Sequence, residues 1–353
     1  MDTISPIFHK ILSRHFSADD IVIIAPLNWG LGHATRCIPV IHYLKSICKQ
    51  VIIASDGASL ALLKKEFPDM QFEELPSYHI MYPFRSIIIN ILMMMPSFIR
   101  AFFSERKSAP RIANNYHATI ILSDNRFGFR CPAVKNIYMT HQVNILHNNP
   151  IISLLGSKIH QWFIKRFDIC LVPDYSDKKS LCPALTQGNN IKKIFLGPIT
   201  RIKKLVLPKN WDICVMLSGP EPQRSILEKK LIKQLIALKQ YKILFVTGKE
   251  KTYNDLQLPN HISIRSLLTS NEIEEILNSS KLLISRSGYS TIMDIVNLDI
   301  HAIFIPTPGQ TEQEYLGQTL AINDKYNNLH QDKIGQLAGI IEKQFAKFNY
   351  SSK

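Results

Sequence analysis

Short apolar runs alternate with helix-length amphipathic stretches along the whole chain. The first run is Ile21–Ala25, and Cys37, Val40, Ile41, Leu44 and Ile47 follow it at helical spacing. "VIIAS" at 51–55 predicts a second strand and "SLALLKKEF" a helix. "ATIILSD", "NIYMT" and "FDICLVPD" predict further strands, each ending in polar residues. Around "LGPITRIKKLVLPKNWD" the chain turns basic and proline-containing, which predicts a domain boundary. The alternation then restarts. Strands are predicted at "ICVMLS", "KILFVT", "ISIRS", "KLLIS" and "HAIFIP". Helices are predicted at "SILEKKLIKQLIAL", "NEIEEILNS", "TIMDIVNL", "EQEYLGQTLAI" and "KIGQLAGIIEKQFAKF". Apolar strands between helices form parallel sheets covered on both faces. The expected class is therefore α/β, with two Rossmann-like, doubly wound domains over 1–205 and 206–353, facing a central cleft. Loops at the carboxyl ends of the strands are the expected binding positions. The last helix is a candidate to pack back on the first domain.

Composition narrows the functional classes. The chain has 353 residues, room for two domains, and its 46% hydrophobic and 20% charged content excludes a disordered polymer. A net charge of +14 points to a polyanionic neighbour: nucleic acid, an anionic membrane or phosphorylated substrates. No RNA- or DNA-binding motif accompanies it, so nucleic acid is not an expected partner. Cys37, Cys48, Cys131, Cys170, Cys182 and Cys214 form no C-x-x-C pair and read as thiols in a reducing cytosol. "MDTISPIFHKILSRHF" lacks the continuous apolar core of a signal peptide. No run reaches the ~20 apolar residues of a membrane span; the nearest, "IIINILMMMPSFIRAFF", is broken by Asn90, Pro96 and Arg100. Across 85–111, apolar residues alternate with Arg85, Arg100, Arg106, Lys107 and Arg111 against one acid, Glu105. That pattern suits either an anionic membrane surface or a buried helix with basic ends.

Three groups of loops carry the candidate chemistry. In "LISRSGYSTIMD", Arg286, Ser287, Gly288 and Ser290 lie between a strand end and a helix start. Free N–H groups there attract anions, and an arginine adds charge-assisted bonds. Asp294, one turn on, can accept from sugar hydroxyls. Thr291 and Asp294 equally have capping-box spacing, which needs no ligand. In "PTPGQTEQEYLGQ", Gln310, Glu312, Gln313 and Glu314 crowd the next helix start and suit a polyhydroxylated ligand, although Thr311 and Glu314 also have cap spacing. In the first half, "PLNWGLGHATR" holds Gly30, Gly32 and His33, with Arg36 reading as a surface charge. "LSDNRFGFR" and "YMTHQ" bring Asp124, Asn125, Arg126, Thr140, His141 and Gln142 to strand ends on the same side as His33.

"SRSGYSTIMDIVNLDIHAIFIPTPGQTEQEYLGQTL" resembles the donor-binding segment of glycosyltransferase family 28, the MurG-like N-acetylglucosaminyltransferases of GT-B fold. That segment reads roughly R-[SA]-G-x-x-T-x-x-E, then a strand, a proline turn and Q-Q/E-x-x-N. Arg286, Gly288 and Thr291 fall on the pattern. Asp294 stands where a Glu holds the nucleotide ribose. Gln313 and Glu314 stand where paired polar residues hold donor sugar and ribose, and Gly317 replaces the Asn. "WGLGHATR" resembles the family's G-G-x-G-H loop, with Gly30, Gly32 and His33 on its last two glycines and its histidine. "LSGPEPQR" occupies the place of a G-G-S-Q-G loop. Gly219 matches there and the Ser-Gln pair does not, which leaves Gln223 and Arg224, beside Glu221, as the candidates for the donor phosphates.

The resemblance implies an acceptor side with Gly30, Gly32, Asn125, Arg126 and His141. It implies a donor side with Gly219, Gln223, Arg224, Arg286, Ser287, Gly288, Ser290, Thr291, Asp294, Gln313 and Glu314. The implied reaction is inverting transfer of a sugar from a UDP-linked donor to a hydroxyl of a glycan or lipid-linked acceptor, in cell-envelope biosynthesis. The implied place is the cytoplasm or the inner face of the cytoplasmic membrane. His33 is the candidate base and Asp124 the runner-up. Without a D-x-D pair, neither metal nor cofactor is expected. "IRSLLTS" is the stretch where a uracil would be read. A nucleotide-sugar epimerase and a non-catalytic nucleotide-sugar binding protein stand as alternatives on the same fold.

Overall fold

The computed structural model describes residues 6–79, 87–188, 191–219, 221–248 and 258–351. Two compact units emerge, the first from residues 6–79 and 91–203, the second built on 204–351.

The first unit holds β1 (Ile21–Pro26), β2 (Gln50–Ser55), β3 (Gln71–Glu74), β4 (Ile120–Asp124), β5 (Lys135–Met139), β6 (Ile169–Val172) and β7 (Lys193–Phe195). They form one parallel sheet in the order β3-β2-β1-β4-β5-β6-β7. β1, β2 and β4 are buried on both faces, which is why they read as unbroken apolar runs. The edge strands β3 and β7 are half exposed and carry no such run, so the alternation does not reveal them. It also misses the helix Pro6–His15, which buries Phe8 and Leu12 completely.

The helix Ile87–Tyr116 divides the two alternatives for 85–111 between its faces. Ala101, Ala109, Ile112 and Ala113 are buried, whereas Ile99 and Phe103 point outward, 48% and 66% exposed. Arg85 and Ser86 lie outside the described residues, as do the side chains of 87–92.

The second unit holds β8 (Trp211–Met216), β9 (Ile243–Val246), β10 (Ile262–Arg265), β11 (Ser280–Ser285), β12 (His301–Phe304) and β13 (Tyr326–Asn328). Its parallel order is β10-β9-β8-β11-β12-β13. Ile213, Val215, Phe245, Ile284 and Ile303 pack with Leu227 and Leu231 of the helix Gln223–Leu235. Leu337 and Ile341 of the final helix, Leu337–Ser351, complete this core, and Phe345 stacks on Tyr241 at 4.6 Å. The last helix therefore packs on its own unit. Two doubly wound parallel sheets agree with the class expected from the alternation. All six cysteines are free.

In each sheet the strand order reverses beside the first strand. The reversal lies between β1 and β4 in one unit and between β8 and β11 in the other. Ligands of such sheets bind at the carboxyl ends of the strands at that reversal.

Candidate active site

At the first reversal, Pro26 of β1 stands in register with Asp124 of β4. Gly30, at φ +70°, turns the chain into the helix Gly32–Ile47. His33 and Arg36 lie three residues apart on that helix and so share a face. Asp124 is fully buried beneath them. His33 Nδ1 lies 3.2 Å from Asp124 Oδ1. Arg36 Nε donates to Asp124 Oδ2 at 2.7 Å, and its Nη2 donates to Oδ1. Arg36 Nη2 is also 2.7 Å from His33 Nδ1, and Nη1 is 2.5 Å from His141 Nδ1. The Cys37 thiol adds a 3.4 Å donor to Asp124 Oδ2.

The charges here set each other. Burial pushes the Asp124 carboxyl up, but Arg36 and then His33 outweigh it and hold the group well below the usual carboxylate range. Burial first and the Arg36 charge second lower the His33 pKa below its ordinary 6.5, against the opposing pull of Asp124. The result is a neutral imidazole on an ionised carboxylate. Nδ1 faces both the Arg36 Nη2 donor at 2.7 Å and Asp124 Oδ1 at 3.2 Å, so the tautomer sets the role of the ring: with Nδ1–H on Asp124, Nε2 keeps its lone pair for a proton.

Arg36 is the residue that sequence reasoning misplaced: it is 2% exposed and central to the cluster. Its spacing from His33 was the available signal. Arg126 departs from its expected acceptor-side place. It is fully buried, pairs with Asp56 and with Glu105 Oε1 at 2.7 Å, and donates to the carbonyls of Pro26 and Pro76 at 3.0 and 3.2 Å. Its burial follows from those partners, which satisfy the guanidinium without water. Asn125 adopts φ +60°, and its Oδ1 is buried without a hydrogen-bond partner. Thr140 Oγ1 accepts from the Gln142 N–H at 3.0 Å and shapes the turn that carries His141.

At the second reversal, Arg286 is 1% exposed. Its Nη1 donates to the carbonyls of Ile305 and Pro306 at 3.0 and 2.9 Å, and its Nη2 to that of Gln223 at 2.9 Å. Burial lowers its pKa to about 9. The residue expected to meet donor phosphate is thus a brace that joins the end of β11 to the residues after β12 and to the first residue of the helix Gln223–Leu235. Ser287 Oγ donates to the Gln313 carbonyl at 2.7 Å. Gln313 Oε1 accepts from Thr307 N–H at 2.9 Å, and Glu314 Oε1 from Gly309 N–H at 3.3 Å. One oxygen of each therefore fastens their own turn.

Both capping-box alternatives fail. Gly288 is the N-cap of the helix Tyr289–Ile295, so Thr291 and Asp294 lie inside it. Gln310 is the N-cap of Thr311–Leu320. A capping box does form at the end of "IRSLLTS", between Thr269 and Glu272 just beyond it. Ser290 and Thr291 are half-buried on the first turn after Gly288, and Asp294 is buried. A methyl group on Gly288 would meet no heavy atom within 4 Å, and on Gly219 only Thr307 Oγ1 at 3.9 Å. Both loops thus offer open backbone to a ligand. Arg224 Nε and Nη2 donate to Glu221 Oε1 at 3.1 and 2.9 Å, while Glu221 Oε2 accepts from the Ser225 N–H at 3.2 Å. Glu221 so occupies the start of the helix that also carries the buried Gln223.

Residues 223–347 match the glycosyltransferase family 28 C-terminal domain. The chain is 28% identical over 133 residues to the UDP-N-acetylglucosamine–N-acetylmuramyl-(pentapeptide) pyrophosphoryl-undecaprenol N-acetylglucosamine transferase of Exiguobacterium sibiricum, covering 36% of this chain and 35% of that one. It is 24% identical over 257 residues to the enzyme of the same name from Sulfurihydrogenibium sp., covering 69% and 66%. The chain thus spans about a third of the first relative and just under two thirds of the second. Among solved structures, the spinosyn rhamnosyltransferase SpnG complexed with thymidine diphosphate superimposes at a TM-score of 0.63 with 12% identity, covering 92% of this chain and 91% of that one. The chain thus has the GT-B fold, and residues 223–347 of its second unit match a glycosyltransferase family 28 C-terminal domain.

Proposed function

We propose that the protein transfers a sugar from a UDP-linked donor to a hydroxyl of a lipid-linked or glycan acceptor, with inversion at the anomeric carbon. The observation that carries this reading is the buried pairing of His33 with Asp124 and Arg36 at the first strand reversal. Asp124 orients the His33 imidazole, whose Nε2 takes the acceptor proton as the hydroxyl attacks in a single displacement. The leaving diphosphate gains negative charge. Backbone N–H groups at the start of Tyr289–Ile295, and Arg224 once released from Glu221, balance that charge in place of a metal ion. Arg286 acts indirectly, by holding these loops together.

The test is acceptor-dependent UDP release with the sugar recovered on the acceptor. UDP release with a rearranged free sugar and no acceptor would instead establish the epimerase, and binding without turnover the non-catalytic reading. Asp294→Ala is expected to weaken donor binding about tenfold, the loss of a charged hydrogen bond to ribose; wild-type affinity removes Asp294 from that role. The acid limb of kcat/KM is expected below pH 6.5, because protonation of His33 removes the base and its pKa lies under that value. A limb at or above that pH discounts His33.

The proposed place of action is an anionic membrane surface. The helix Pro150–Ile164, which sequence reading passed over, exposes Ile151, Leu154, Leu155, Ile159 and Trp162. Phe163 on it contacts Phe102 at 5.6 Å, setting it beside the outward face of Ile87–Tyr116. Arg166, 3.5 Å above the Trp162 ring, and the exposed Arg100, Lys107 and Lys158 supply positive charge around this apolar face. Among the described residues no helix is long and apolar enough to cross a membrane. Phosphatidylglycerol vesicles at low salt are expected to bind the protein and phosphatidylcholine vesicles to bind it weakly. Equal binding to both discounts the electrostatic part of this reading.

A further inference from the structure

Among the buried side-chain oxygens of the second unit that lack a hydrogen-bond partner are Thr307 Oγ1 and Asn328 Oδ1. They belong to adjacent strand ends. Asn328 closes β13 in register with Phe304, the last residue of β12, and Thr307 follows β12 by three residues. Both therefore sit on the ligand-binding edge of the sheet.

Gly317 makes room for Asn328. A methyl group on Gly317 would lie 2.6 Å from Asn328 Oδ1, 3.1 Å from its Cγ and 3.3 Å from Pro306 Cγ. The helix Thr311–Leu320 thus has no side chain at this point, and a carboxamide from the neighbouring strand fills the gap. Thr307 Oγ1 borders the open face of Gly219. Meanwhile Gln313 and Glu314 each give one oxygen to an N–H of their own turn.

We infer that Asn328, in the room left by Gly317, reads a hydroxyl or amide N–H of the donor's sugar, and that Thr307 contacts the donor where its sugar meets the diphosphate. The inference rests on the UDP-sugar reading above. A buried carbonyl oxygen calls for a hydrogen-bond donor, which a polyhydroxylated ring supplies and a phosphate oxygen does not.

Calorimetric titration of the full chain with UDP, UDP-glucose, UDP-galactose and UDP-N-acetylglucosamine tests this. Asn328→Ala is expected to weaken the best-bound UDP-sugar about fivefold to tenfold while leaving UDP affinity unchanged. Gly317→Ala displaces the carboxamide and is expected to give the same selective loss, which serves should Asn328→Ala fold poorly. The double variant Gly317→Asn, Asn328→Gly returns a carboxamide to the gap and is expected to regain sugar affinity over Asn328→Ala. Parallel loss of UDP and UDP-sugar, or no loss at all, overturns the inference. A wild-type chain that binds UDP-sugars beside unaffected variants sinks this inference alone. A wild-type chain that binds neither UDP nor any UDP-sugar sinks the donor reading and this inference with it.

Discussion

Turnover of the Asp124→Asn variant is expected to fall by about 10²–10⁴-fold, the range a positioned acid–base group supplies. Donor affinity is expected to stay unchanged, since the loops proposed to hold the donor belong to the other unit. Two consequences of the substitution act together. An amide nitrogen facing His33 Nδ1 donates to it, which favours the tautomer protonated at Nε2 and removes the lone pair needed for the acceptor proton. The neutral amide also leaves the buried Arg36 guanidinium without its counter-charge. His33→Ala is expected to cost about as much alone as in combination with Asp124→Asn, because the pair works as a unit. UDP binding and thermal unfolding, measured beside turnover, separate a lost base from a lost fold. Turnover within about threefold of wild type, with UDP binding intact, would falsify the role given to the pair.

Arg126→Met is expected to destabilise the first unit by about 3–5 kcal/mol, the cost of removing one partner from a buried ionic cluster. Arg126 stands between Asp56 and Glu105, all three buried. The remaining acceptor positions are already taken. Tyr78 Oη donates to Glu105 Oε2 at 2.5 Å, Gly128 N–H donates to the same oxygen at 3.2 Å, and Asn28 Nδ2 donates to Asp56 Oδ2 at 3.1 Å. Methionine fills much of the volume but strands two carboxylates without a cation. Burial already raises the Glu105 carboxyl above its ordinary 4.5 against the pull of Arg126, and loss of that cation raises it further. A carboxyl raised in this way favours folding while protonated, and that contribution disappears as pH rises through the folded value. The deficit relative to wild type is therefore expected to be largest near neutral pH and to narrow on acidification. Urea unfolding at pH 7 and pH 5 measures both effects. A deficit under about 1 kcal/mol at pH 7 means that the cluster contributes little beyond packing.

The architecture was legible because its cause is local. A strand buried on both faces must be apolar throughout, so β1, β2, β4, β8, β9, β11 and β12 announce themselves as runs between amphipathic helices. The edge strands Gln71–Glu74, Lys193–Phe195 and Tyr326–Asn328 need no such run, and none marks them. The loops at strand ends were legible for a related reason. Glycine, serine and charged residues clustered after an apolar run mark a helix start with open N–H groups, as at Arg286–Ser290. The roles within those loops were not legible. Arg286 and Arg126 look in the sequence like cations available to a ligand, and Arg36 looks like surface charge.

By itself, the sequence determined two parallel α/β units, the loops in which chemistry could occur, and the resemblance that suggested a glycosyltransferase. Tertiary structure alone decided which charges serve one another. Arg36 and Asp124 lie 88 positions apart, Arg126 and Asp56 70 apart, and Arg286 reaches a carbonyl 63 residues away. Periodicity records whether a position faces water or core. It does not record which polar group waits in the core, and a guanidinium is buried or exposed according to the partners that folding brings within hydrogen-bond reach.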